Sequence, residues 1–150
     1  MLFRSLGTYA IVTVGRIANQ AELVKQAYGL RSAHFSEMSG GEVNPTELVS
    51  LFINQGGTFA EGIQIAQQAI AGSCSMLLLT GTGVYAARDR LGRTPIILGR
   101  KDGSYAATLE TCAFPNLGYE TVRDLGPGEI VRLTPEGVEV VALQIGRAHV

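Results

Sequence analysis

The 150-residue chain is 46% hydrophobic and carries a formal charge of −1. That suits one domain with a substantial core and leaves no electrostatic footprint for nucleic acid or a membrane surface. Nineteen glycines against five prolines indicate many tight turns rather than disorder, and no apolar run approaches the roughly 18 residues of a membrane span. Cys74 and Cys112 stand in apolar contexts with no second Cys or His at metal-ligand spacing. They are expected to be buried, reduced thiols in a cytoplasmic protein, with no metal site.

Met1-Leu2-Phe3-Arg4-Ser5 is too short and too poor in apolar residues for a secretion signal. Leu2–Ser5 and Ile145–Val150 read instead as translations of a widely used sequencing-adapter string in opposite directions. Residues 1–5 and 145–150 are therefore expected to be adapter-derived, His149 carries no meaning, and the natural protein is expected to continue beyond both ends.

Thr8 to Val14 is β-branched and aromatic and predicts a buried strand. Asn19 is expected to cap a helix, with Glu22 at the capping-box position, Leu23, Ala27 and Leu30 along one face, and Gly29 after the last turn. Asn44-Pro45-Thr46-Glu47 starts a second helix, with Asn44 as cap and Pro45 where a missing N–H costs nothing. Leu48, Leu51 and Phe52 form its stripe before Gly56-Gly57. Thr58-Phe59-Ala60-Glu61 starts a third helix, lined by Ile63, Ala66 and Ile70 and ending by Gly72.

From Ser73 the period becomes strand-like. Met76–Thr80, Val84–Asp89, Pro95–Gly99 and Tyr105–Leu109 are predicted strands, with turns at Gly81-Thr82-Gly83 and Asp102-Gly103. Glu129–Leu133 and Val138–Val141 form a last hairpin around Thr134-Pro135-Glu136-Gly137. Helices followed by an antiparallel meander define an α+β layer fold. Between the strands, Asp89 can accept from backbone N–H groups just ahead of it, Gly92 can take positive φ and Pro95 fixes entry into the next strand. Arg88 beside Asp89 is expected to join a local ion and hydrogen-bond network.

Four strings, in this order, carry a family resemblance: Gly15-Arg16-Ile17-Ala18-Asn19-Gln20-Ala21-Glu22-Leu23, Ala86-Ala87-Arg88-Asp89-Arg90-Leu91-Gly92-Arg93-Thr94-Pro95, Leu109-Glu110-Thr111-Cys112-Ala113 and Leu125-Gly126-Pro127-Gly128-Glu129-Ile130. From about Leu6 to about Leu143 the chain resembles the glutaminase domain of the amidophosphoribosyltransferases. The resemblance implies a partial class II glutamine amidotransferase domain over 6–143. Its fold would be the four-layer αββα arrangement of N-terminal-nucleophile hydrolases, truncated at the N-terminus, with largely antiparallel sheets. The implied activity is release of ammonia from glutamine for transfer to phosphoribosyl pyrophosphate. The product is phosphoribosylamine, at the first step of de novo purine synthesis. Phosphoribosyl pyrophosphate and its Mg would belong to a C-terminal domain outside this chain, and the parent would be a homo-oligomer. No cofactor is expected in the chain itself.

Such chemistry needs an activated thiolate, oxyanion donors and a clamp for the amino-acid head group. The family's nucleophile is an N-terminal cysteine, and none stands there; neither Cys74 nor Cys112 matches it, so the isolated chain is expected to be inactive. The family's Asn-Gly-x-Ile/Leu-x-Asn string appears as Val14-Gly15-Arg16-Ile17-Ala18-Asn19. Gly15 is the implied oxyanion backbone donor, while Val14 replaces a side-chain donor whose loss typically costs about 3 kcal/mol. Equally, Gly15 can simply close a strand-to-helix turn. At the family's Ser-Asp-Thr/Ser-Glu clamp the chain has Asn44-Pro45-Thr46-Glu47, with Pro45 in place of the ammonium-binding carboxylate; other substrate-binding residues are not assigned. Two other readings stay open: a sister class II amidotransferase (glucosamine-phosphate or asparagine-forming), or a non-catalytic module retaining the fold.

Overall fold

A computed structural model describes residues 6–29, 38–39 and 42–143. Leu30 and the foreign-looking ends at 1–5 and 145–150 lie outside the described residues.

Strand β1 (Ala10–Ile17) leads into helix α1 (Gln20–Tyr28). A two-residue ladder, β2 (Met38–Ser39) with β3 (Glu42–Val43), precedes helices α2 (Pro45–Ile53) and α3 (Phe59–Ala69). The helix starts follow their caps. Asn44 Oδ1 accepts from the Thr46 and Glu47 N–H groups at 2.8 and 3.3 Å, and Thr58 Oγ1 accepts from Glu61 N–H at 3.1 Å, satisfying donors that have no partner inside the helix.

Asn19 departs from its expected role. Its side chain makes no cap bond to α1. Its Nδ2 donates to the Ala69 carbonyl and its Oδ1 accepts from Ala71 N–H, both at 2.9 Å. Asn19 therefore fastens the start of α1 to the end of α3, a long-range use of the amide that local spacing cannot reveal.

The remaining strands are β4 (Gly72–Thr80), β5 (Gly83–Ala87), β6 (Ile97–Lys101), β7 (Ser104–Thr108), β8 (Glu120–Asp124), β9 (Ile130–Thr134) and β10 (Gly137–Ala142). They are not one meander. A five-stranded sheet runs β1-β4-β5-β9-β10 and a three-stranded sheet β7-β6-β8, every pair antiparallel. The sequence pattern predicts neither β8 nor the short helix α4 (Ala113–Leu117). β8 is exposed throughout, so it shows no apolar alternation, and α4 is too short to show a helical period.

The two faces of the five-stranded sheet bury different partners. Tyr85, Ala87 and Ile130 join Leu23, Leu48, Ile53, Ile63 and Ala66 of the helices in one core, while Ala86, Val131 and Leu133 join Leu98 and Leu125 in a second core against the smaller sheet. Period-2 alternation along β5 and β9 produces this split. On the far face of the small sheet, a Cβ at Gly99 would collide with the Phe114 ring, so α4 sits directly on β6. Helices, sheet, sheet and α4 make up the four layers.

β1 is an edge strand rather than a buried one. Tyr9, Ile11 and Ile17 pack toward the helices, but Val12 and Val14 are 57% and 42% exposed, because its apolar content serves one face only. Cys74 is buried as expected; Cys112 is exposed, at the outer N-terminal edge of α4.

Candidate functional site

A cleft of about 300 Å³ opens where the end of β1, the start of α1, the start of α2 and β4 meet. Thr13, Gly15, Arg16 and Ile17 form its β1 wall. Gln20 of α1, Pro45 of α2 and Cys74 of β4 complete it. Two positions singled out in the sequence, Gly15 and Pro45, thus converge from different elements. Val14 is not part of the lining; it shares the opposite, exposed face of β1 with Val12.

Gly15 does not close a turn. It lies within β1 opposite Cys74, with φ +145°, a region that side-chain-bearing residues rarely enter. A Cβ there would collide with the carbonyl of Ser73 on β4. The close approach of the neighbouring strand therefore demands glycine before any ligand is considered.

Pro45 occupies the first position of α2, exposed, behind the Asn44 cap. It brings neither an N–H nor a carboxylate. The next two N–H groups are taken by Asn44. Thr13 Oγ1 and Thr46 Oγ1 are 2.8 Å apart, joining β1 to α2 across the cleft wall. Gln20 Nε2 donates to the Val43 carbonyl at 3.1 Å, anchoring the amide at the N of its head group.

Cys74 is 5% exposed, and its thiol is pushed up to about 11, chiefly by burial and secondarily by the charge of Asp89. At neutral pH only about one molecule in ten thousand would hold a thiolate there, so this sulfur is not an activated nucleophile. Arg16 is exposed; its backbone N–H donates to Ser73 Oγ at 3.3 Å, and among the described residues its guanidinium meets no carboxylate.

The Arg88–Pro95 turn is built internally. Asp89, 2% exposed, accepts from Leu91, Arg93 and Thr94 N–H groups at 3.2, 3.0 and 2.7 Å. Gly92 takes φ +68°. Arg88 donates to the Leu125 and Gly92 carbonyls at 2.6 and 2.7 Å, tying the turn to the Leu125–Glu129 loop; carbonyls, rather than Asp89, hold it. This most specific of the sequence strings is a clasp between strands, away from the cleft apart from the Cys74–Asp89 interaction. Cys112 lies outside the lining too, its Sγ 3.6 Å from Glu110 Oε2.

Three lining side chains carried no sequence signal as site residues: Thr13, Gln20 and Cys74. Strand alternation puts Thr13 on the face of Gly15, but Gln20 and Cys74 arrive through tertiary pairing. Among the described residues, no group of three or more His, Cys, Asp or Glu side chains is placed to hold a metal ion, and no helix is long and apolar enough to cross a membrane.

Residues 1–114 match the family model of the glutamine amidotransferase domain; the chain belongs to that family. Its similarity reaches particular enzymes. It is 28% identical to the amidophosphoribosyltransferase of Archaeoglobus fulgidus over 137 residues, covering 91% of this chain and 30% of that protein. It is 29% identical to the Bacillus subtilis amidophosphoribosyltransferase over 143 residues, covering 93% and 29%. The solved structure of glutamine phosphoribosylpyrophosphate amidotransferase from B. subtilis, complexed with ADP and GMP, superimposes with a TM-score of 0.79 at 26% identity, over 89% of this chain and 29% of that one. The chain thus spans about 30% of the length of the curated relatives it matches. The four-layer fold is that of the glutaminase domain of these enzymes.

Proposed function

We propose that this chain is part of the glutaminase domain of an amidophosphoribosyltransferase, which releases ammonia from glutamine for transfer to phosphoribosyl pyrophosphate. The supporting observation is the joint match over most of the chain, in sequence and in fold, to amidophosphoribosyltransferases. The convergence of Gly15 and Pro45 in one cleft agrees with it. In this reading glutamine enters the cleft, and Gly15 N–H faces the oxyanion that develops at the amide carbon.

The nucleophilic thiolate must come from outside this chain, since Cys74 is held neutral and Cys112 is remote. Phosphoribosyl pyrophosphate, with Mg, would bind a further domain. The parent would be a cytoplasmic homo-oligomer.

A second reading, a non-catalytic module of the same fold, draws on Pro45 and Val14, which leave the cleft without a carboxylate or a side-chain oxyanion donor at those positions. Glutamine-dependent ammonia release separates the two. The whole gene product containing residues 6–143 should release ammonia from glutamine and form phosphoribosylamine, while this chain alone should release none. A whole gene product inert toward glutamine would favour the module.

A further inference from the structure

None of the residues lining the cleft is acidic. The register of β1 turns the Arg16 side chain to the face of Val12 and Val14, so Arg16 contributes backbone to the wall. The Thr13 and Thr46 hydroxyls bond each other, and the first free donors of α2 bond Asn44. Gln20 differs from these groups. Its Nε2 donates to the Val43 carbonyl at 3.1 Å, and a carbonyl accepts only from the nitrogen end of an amide, so the head group is held in one orientation. Its Oε1 has no partner among the described residues. The buried side-chain polar atoms left unsatisfied there are Arg88 Nε and Arg132 Nε. Gln20 Oε1 is therefore an oriented acceptor open to solvent, fixed beside the start of α2 by the bond to Val43.

We infer that Gln20 is a specificity-determining residue of this cleft: its Oε1 accepts from the α-ammonium of the ligand, a neutral oxygen serving where the lining has no carboxylate. This rests on the reading of the cleft as the glutamine site and deepens it. In that reading the carboxamide carbon of glutamine lies at Gly15, on the β1 wall. The donor-bearing group at the other end of the molecule is the α-ammonium, and Gln20 and Pro45 form the helix side of the cleft. An ammonium requires acceptors; Pro45 has no side-chain acceptor, which leaves the Gln20 oxygen. A neutral amide lacks the long-range attraction of a carboxylate, so this recognition is short-ranged, modest and nearly insensitive to salt.

The test is titration calorimetry on the 150-residue chain with glutamine and 4-carbamoylbutanoate (the same skeleton without the amine), read as the ratio of their dissociation constants. In the unaltered chain glutamine should bind about tenfold more tightly, the scale of one hydrogen bond to a charged group. Gln20→Met should bring the ratio to within about twofold of unity. Loss of the Val43 bond weakens both probes alike, so a merely structural role for Gln20 would leave the ratio where it was. Gln20→Glu should raise the ratio above that of the unaltered chain at low salt. Between about 0.05 and 0.5 M salt the Glu variant's ratio should fall while that of the unaltered chain holds.

The inference is overturned if the two probes bind the unaltered chain equally, if the preference for glutamine survives Gln20→Met, or if neither probe binds. Ammonia release by the whole gene product is read separately. A preference that collapses in Gln20→Met, with no such release, would remove the glutaminase reading and leave the inference standing. Release from a protein whose Gln20→Met variant keeps its KM for glutamine would do the reverse.

Discussion

Replacing Gly15 by alanine should destabilise the fold with no ligand present. Two contributions add. The backbone at φ +145° strains a residue bearing a Cβ by about 1–2 kcal/mol. The new methyl group meets the Ser73 carbonyl on β4, and opening that contact disturbs the packing of buried Cys74 and Met76 by about 1–3 kcal/mol, the usual scale of overpacking. The sum, about 2–5 kcal/mol, corresponds to a drop of roughly 6–15 °C in thermal midpoint for a domain of this size. Gly137 is a natural control: its φ is +148°, yet a Cβ there would meet nothing within 4 Å. Gly137→Ala should therefore cost the strain alone, about 1–2 kcal/mol and roughly 3–6 °C. Thermal denaturation followed by circular dichroism compares the two. If Gly15→Ala melts no lower than Gly137→Ala, strand proximity does not explain the glycine.

Asp89→Asn should cost about 2–3 kcal/mol in urea denaturation, because one end of the side chain then donates where backbone N–H groups need acceptors; a loss under 0.5 kcal/mol would mean that the turn holds itself. Thr58→Ala should cost about 1 kcal/mol by removing the α3 cap, read from the same transition. Arg123 holds Glu129 below the usual carboxylate range through a two-pronged pair at 2.9 and 2.6 Å. Its stabilisation is therefore complete above the unfolded value and lost as pH falls through and below it. The urea midpoint should decline on acidification below about pH 4.5, the ordinary carboxylate value, and Arg123→Met should flatten that part of the decline. A thiol-reactive disulfide reagent should modify Cys112 promptly and Cys74 only on unfolding; fast labelling of both would contradict the burial of Cys74.

The sequence announced elements whose signals are local. Asn44-Pro45 and Thr58 marked helix starts, and Asp102-Gly103 a turn whose φ values are indeed both positive, 49° and 80°. Asp89 and Gly92 marked the tight turn. Features set by tertiary pairing were hidden. Asn19 looks like a cap because its neighbours are helical, but its amide partners lie about 50 residues away. Consecutive hairpins read as a single meander, since nothing in β5 or β6 states which sheet each joins; the switch occurs across Arg88–Pro95. In the cleft, Gly15 and Pro45 were legible through family strings. Gln20 and Cys74 enter it by the β1–β4 register and the packing of α1, which no spacing encodes. The exposure of Val12 and Val14 is not legible in the sequence, because a half-buried edge strand and a central one share the same β-branched composition.

Nuclear magnetic resonance of the ¹⁵N-labelled chain titrated with glutamine tests the central claim most directly, since it reports where the ligand sits. Backbone signals of Thr13, Gly15, Arg16, Gln20 and Thr46 should move together and saturate with one dissociation constant. Those of Gly103, Ser104 and Tyr105, which line a separate cleft of similar volume by the hairpin tips, should stay fixed. Shifts confined to the hairpin tips, or no shift around Gly15 at saturating glutamine, would contradict the placement of the glutamine site at the junction of β1, α1 and α2.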